Sequence, residues 1–208
     1  MSEPAIGALV LAAGRSRRFG SDKRHARLDD GTPLLTATLL RCASVLDDVR
    51  VVLRPDDDAL ARELAERIPG LHILHAPRSD EGMGGSLADG IARCEDLDWV
   101  LVVLGDMPFV QPETLEQLLD AIRAAGPEID IIRPVRTCAE GDEPTGPGHP
   151  VAFHATRFDE LAACSGDTGA RAVVERGQGM LCVEVTDPGV LRDLDHPGAL
   201  QQPVARER

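Results

Sequence analysis

Short, nearly continuous apolar runs alternate with amphipathic stretches along this chain. Residues 6–11, 49–53, 71–74, 99–104 and 129–135 are such runs, mostly rich in β-branched side chains. That pattern predicts strands covered on both faces. Between them, residues 33–45, 57–67, 86–94 and 112–124 carry apolar positions at helical spacing, and Pro112 followed by Glu113 suits a first helical turn. Strand and helix in this rhythm imply an α/β fold, a three-layer αβα Rossmann-like arrangement around a mostly parallel sheet with right-handed crossovers.

The rhythm breaks over residues 138–150, where CAEGDEPTGPGHP holds too much glycine and proline for a regular element. A long irregular segment of this kind is commonly a functional loop or a disordered one. Beyond it, residues 151–153 and 181–185 read as strands, and 157–163 and 168–175 as helices. With no internal repeat and no linker, residues 1–208 are expected to form one domain, the tail from about 201 being frayed. Ligands of an open α/β sheet gather at the carboxyl ends of its strands. Three distinctive segments adjoin expected strands: LAAGRSRRFGSDK, GDMP and GHP.

Composition narrows the partners. The net charge of −13 argues against a general grip on nucleic acid or an anionic membrane. Aromatics at 2%, with no tyrosine, leave almost no platforms for stacking bases of a nucleic-acid strand. Neither observation forbids a small anionic substrate, because a local cation cluster outweighs a distant field. Cys42, Cys94, Cys138, Cys164 and Cys182 contain no CxxC pair, so neither a zinc site nor a disulfide framework follows. The apolar run 5–13 is too short to span a membrane and follows Glu3, unlike a signal peptide, so a cytoplasmic location is expected.

Of 22 basic residues, one is a lysine, Lys23, and it closes the run LAAGRSRRFGSDK. Lysine is a compact, flexible point charge, whereas arginine is a planar fork. A glycine-rich turn between strand and helix, ending in a lysine, can hold a nucleotide's phosphates through backbone N–H groups and one cation. Gly14 would let the chain turn off the strand, Ser16, Arg17 and Arg18 would meet an anion, and Gly20 would bring Lys23 back. The run is neither a Walker loop nor a dinucleotide fingerprint. By pattern alone it is either a phosphate-binding turn or a solvated basic loop.

The same run, with the continuation RHARLDDGTPLL, resembles the signature LA(A/G)GxSxRMGxxK of the nucleotidyltransferases that attach a nucleotide to molybdopterin. LAAG is similar to the cytidylyltransferase branch of that family and LAGG to the guanylyltransferase branch, so Ala13 points to CTP. Four further segments match in the family's order: DEGMGGSLADGI at 80–91, GDMPFV at 105–110, GHPVAF at 148–153 and GDTGAR at 166–171. Phe19 stands where the family has methionine. DLDHPGAL departs from the family's DIDTPED, keeping Asp193 and Asp195 but losing the threonine and the final acidic pair.

The resemblance implies a nucleotide-diphospho-sugar transferase (GT-A-like) fold and assigns candidate roles. Leu11, Ala12, Ala13, Gly14, Arg15 and Ser16, with Gly82, Gly84 and Ser86, would form the nucleotide pocket. Arg18, Lys23 and Asp106 would be the catalytic set. Asp106 would hold Mg²⁺, since this ion takes one or two protein carboxylates plus substrate phosphates; a turn-capping aspartate before Met107 and Pro108 is the plain alternative. His149, Asp167, Arg171 and Asp195 would face the acceptor. For His149 a satisfied loop histidine is the alternative. Asp167 could instead cap a helix and Arg171 form a surface ion pair four residues along it.

The implied activity is transfer of CMP from CTP to the phosphate of molybdopterin, giving the cytosine dinucleotide and pyrophosphate, with a recipient molybdoenzyme as a further partner. The same fold using GTP or another phosphorylated acceptor is one alternative. A nucleotide-binding chaperone that delivers finished cofactor without turnover is the other.

Overall fold

The computed structural model describes residues 3–15, 22–137 and 145–194. Its strands are β1 (Ile6–Leu11), β2 (Asp48–Leu53), β3 (His72–His75), β4 (Trp99–Leu104), β5 (Ile131–Arg136), β6 (Gly146–Pro147), β7 (Val151–His154) and β8 (Met180–Val185). The helices are α1 (Leu34–Ala43), α2 (Asp58–Arg67), α3 (Met83–Ile91), α4 (Pro112–Ala124), α5 (Phe158–Ala162) and α6 (Arg171–Arg176). None of these is long and apolar enough to cross a membrane.

Among the described residues the strands form one sheet of eight, in the order β3-β2-β1-β4-β7-β5, with β8 also on β5. β1 lies parallel between β2 and β4, and β5 runs parallel to β8. β7 is antiparallel to both β4 and β5. The two-residue β6 pairs antiparallel with the end of β5, from within the segment expected to be irregular. Residues 138–144 of that segment lie outside the described residues.

Alternation along the central strands sends side chains into two cores, as period-two geometry requires. Ala8 and Val10 of β1 with Leu101 and Val103 of β4 face one layer, where Leu35, Leu39, Leu64, Leu115 and Leu118 cover them from α1, α2 and α4. Leu9, Val100 and Val102 face the other, beneath Leu87 and Ile91 of α3, Leu161 of α5 and Val173 of α6. The expected three-layer αβα architecture is therefore the observed one.

Two helices differ from their expected bounds. α3 begins at Met83, three residues earlier than the apolar spacing suggests. Gly82, at φ 103°, turns the chain there from a 3-10 turn over Pro77–Glu81. α6 begins at Arg171 because Gly169, at φ 53°, holds a turn just before it.

Register decides what meets at the rim. Leu11 pairs with Val52 on one side and Leu104 on the other. The residues that leave β1 and β4 therefore emerge side by side, and the Gly105 N–H donates to the Leu11 carbonyl at 3.0 Å.

Candidate active site

At this rim opens a cavity of about 530 Å³. Its floor is made where β1 and β4 end, by Leu11, Ala12, Ala13 and Gly14 on one side and Leu104, Gly105 and Asp106 on the other. Lys23 enters from a 3-10 turn over Lys23–His25, and its Nζ lies 2.5 Å from Asp106 Oδ2. The two side chains are 20% and 10% exposed, so each is the near-buried counter-charge of the other. Asp106 is no mere turn cap. Gly14 is not among the glycines of positive φ, and a Cβ there would meet nothing within 4 Å. Its lack of a side chain keeps the cavity wall open; the turn itself does not need it.

The turn that carries Lys23 is fixed from below. Arg24 is 5% exposed and donates from Nη1 to the Ala12 carbonyl at 3.1 Å. It also grips Asp57 through both terminal nitrogens and Asp22 through Nε and Nη2, at 2.8 and 2.5 Å. Arg54 at the end of β2 closes the square, its Nη2 donating to Asp22 and Asp57 at 3.0 Å each. Two arginines and two aspartates thus tie the ends of β1 and β2 to the residue preceding Lys23. No periodic signal marks Arg24, since a buried arginine beside a lysine looks like any basic loop.

The opposite wall comes from the segment around Gly82, Met83 and Ser86. Its glycines are there for close approach: a Cβ on Gly84 would sit 2.6 Å from the Ser165 backbone, and one on Gly82 would overlap Asp167 Oδ1. The Gly84 N–H donates to the Gly166 carbonyl at 2.7 Å, locking the GDTGAR turn onto α3. Asp167 consequently lines the cavity, and it does not cap α6, whose N-cap is Ala170 without a side-chain bond. Gly84 stands behind the wall. The Ser86 hydroxyl donates to the Gly82 carbonyl at 3.2 Å.

Arg171 does not line the cavity; its Nε pairs with Glu175 at 2.7 Å on the exposed face of α6. His149 lines a smaller cavity of about 170 Å³, which shares Leu104 and Asp193 with the larger one. Burial, and next the Arg133 charge, push the His149 imidazolium below its ordinary range, against an upward pull from Asp106. Ser16, Arg18 and Asp195 lie outside the described residues.

Asp193 joins Asp106 on the cavity wall, brought there as the Leu194 N–H donates to the Asp106 carbonyl at 3.2 Å. Two carboxylates with room beside them for phosphate oxygens form a hard-oxygen donor set that fits a divalent cation shared with a nucleotide. No cluster of three or more metal-ligating side chains occurs among the described residues, so the substrate would complete the coordination. Asp80, Asp193 and Met83 also line the cavity; all three lie in segments that resemble the family's motifs, but the resemblance assigned them no role in the site.

A family model described as the MobA-like NTP transferase domain matches residues 8–180. Purine catabolism protein PucB of Bacillus subtilis is 29% identical over 95% of each chain. A 2-C-methyl-D-erythritol 4-phosphate cytidylyltransferase of Dehalococcoides mccartyi is 28% identical over 68% of this chain, which spans 63% of that relative. A Thermococcus gammatolerans protein named as a molybdenum cofactor guanylyltransferase is 32% identical over 58% of each. Among solved structures, Rv0371c of Mycobacterium tuberculosis superposes with a TM-score of 0.75, at 30% identity over 96% of both chains. The same protein in complex with manganese superposes at 0.68, with 28% identity over 88% of this chain and 90% of that one.

Proposed function

The chain belongs to the MobA-like NTP transferase family and is a nucleotidyltransferase, and from that premise we propose that it transfers CMP from CTP to the phosphate of molybdopterin. The observation that carries this reading is the Lys23–Asp106 pair on the cavity floor, a cation and a carboxylate delivered together to the place where a triphosphate would lie. Ala13 in the LAAG turn supports CTP.

An oxygen of the acceptor phosphate attacks the α-phosphorus, the bond to the leaving pyrophosphate breaks, and a phosphoanhydride forms. The acceptor is already anionic, so the site needs no strong general base. Alignment and neutralisation of charge supply the rate. Lys23 exchanges Asp106 for the phosphates and stabilises charge that builds on the leaving group. Arg18 binds the same chain. Asp106 and Asp193 would hold Mg²⁺, which when bound offsets the charge of the triphosphate. The Leu11–Arg15 stretch and Ser16, with Gly82, Gly84 and Ser86, shape the nucleotide pocket, while His149, Asp167 and Asp195 serve the acceptor side. A recipient molybdoenzyme would collect the product.

Pyrophosphate release from purified protein with Mg²⁺, molybdopterin and each of CTP, GTP, ATP and UTP tests the reading. Preferred turnover of CTP is expected. Binding without turnover would favour a delivery chaperone. The relatives named as guanylyltransferases support a second reading, with GTP as donor, and preference for GTP in the same assay would replace the first.

A further inference from the structure

One contact across the mouth of the large cavity has no part in the chemistry above. Arg15, just past the end of β1, reaches Asp80 in the 3-10 turn before α3, 65 residues away, and both residues line the cavity. Its Nε donates to Asp80 Oδ1 at 2.9 Å and its Nη2 donates to the same oxygen. Among the described residues Oδ2 accepts no hydrogen bond. The two side chains are 53% and 73% exposed, so water screens the pair and it contributes little to holding the fold.

Lys23, with Asp106 and Asp193, marks the part of the cavity where the triphosphate is placed above. The part of the lining that holds Asp80 and Glu81 is then left for the base and ribose. Glu81 is committed to Arg78, at 2.8 Å. Asp167 also reaches this wall, but among the described residues no hydrogen bond fixes its carboxylate. Asp80 is different: Arg15 fixes its orientation from the same loop that carries Ala13 and Gly14, which leaves an acceptor-only oxygen preset beside the base position.

We propose that Asp80, held by Arg15, is a specificity-determining residue whose Oδ2 accepts a hydrogen bond from the exocyclic amine of cytosine. The inference rests on the CTP reading above and names how that base is chosen. Cytosine offers a single amino donor at its 4-position, where uracil offers a carbonyl oxygen that a carboxylate repels. Guanine places two donors side by side, a pattern that engages both carboxylate oxygens, one of which already serves Arg15. Selecting for an amine this way follows the pairing of carboxylates with cytosine N4.

CTP and UTP differ at the 4-position, amine against carbonyl, and at the adjacent N3, which accepts in cytosine and donates in uracil, so their equilibrium binding with Mg²⁺, without acceptor, reads this edge of the base. The natural chain is expected to bind CTP about tenfold more tightly than UTP. Asp80→Asn and Asp80→Ser should bring that ratio close to one while UTP binding is retained. A ratio that survives both Asp80 substitutions, or equal loss of the two nucleotides, overturns the proposal. Turnover with molybdopterin is read separately. An Asp80-dependent ratio without turnover sinks the transferase reading alone, and CTP turnover with an Asp80-independent ratio sinks the Asp80 assignment alone.

Discussion

Lys23 Nζ and Asp106 Oδ2 stand 2.5 Å apart although 83 residues separate them in the chain. One comes from the turn beyond β1 and the other from the turn beyond β4, and the Leu11–Leu104 register brings the two turns together. Without substrate the pair is self-neutralised. Lys23→Ala is therefore expected to lower turnover by about 10²–10³, the usual loss when one preorganised donor to developing charge is removed. Lys23→Arg should recover little of it, because a planar fork does not replace a flexible point charge in a space shaped for an ammonium. Steady-state pyrophosphate release measures both, and undiminished activity in Lys23→Ala would remove the assignment.

Arg24→Met should cost about 1–3 kcal/mol of stability, because it removes a buried arginine from Asp57 and Asp22 and leaves Asp57 to Arg54 alone. Urea unfolding measures the loss. Arg24 also holds the Ala12 carbonyl and Asp22, so the surviving folded enzyme should bind nucleotide weakly. Ala12 at the end of β1 and the turn bearing Lys23 would no longer share an anchor.

Acid should destabilise the protein through His149. Burial, followed by the Arg133 charge, keeps the folded imidazole's pKa below 6.5. Above pH 6.5 both folded and unfolded chains carry it neutral. As the pH falls through that value the unfolded chain takes up a proton that the folded chain refuses, so stability drops until the folded group protonates as well. Urea midpoints measured between about pH 5 and 8 should therefore slope less steeply in His149→Gln than in the natural chain. Identical slopes would remove His149 as the source.

Thiol labelling of the native protein should discriminate by burial. Cys42 is fully enclosed and its thiol is pushed up to about 12 by burial, and Cys94 to about 11 for the same leading reason. Cys182 is exposed on β8. An alkylating reagent at neutral pH should modify Cys182 well before Cys42 or Cys94, because only the thiolate reacts. Mass spectrometry of partially labelled protein reads the order.

How much of this was legible in the sequence differs from element to element. Periodicity placed most strands and helices, because burial on one face or both is written directly into the spacing of apolar side chains. It missed the start of α3, where backbone freedom at Gly82 rather than hydrophobicity sets the boundary. The antiparallel insertion of β7 between β4 and β5 was also invisible, since short buried strands read alike in either direction. Arg171 shared a motif with Asp167, yet the helical turn beginning at Arg171 directs it to Glu175 and away from the cavity.

The sequence by itself determined the α/β class, the glycine-bearing turns and the few residues, Lys23 and Asp106 first among them, whose chemistry suits a phosphate. These are local properties, fixed by side-chain type and spacing. Only the tertiary structure decided which of them meet. Strand register put Lys23 against Asp106, a buried charge square beneath the cavity anchored the turn before Lys23, and the packing of one glycine-rich turn on another carried Asp167 to the wall and Arg15 to Asp80. Contacts over such separations follow from how the sheet is assembled, and no local pattern along the chain encodes them.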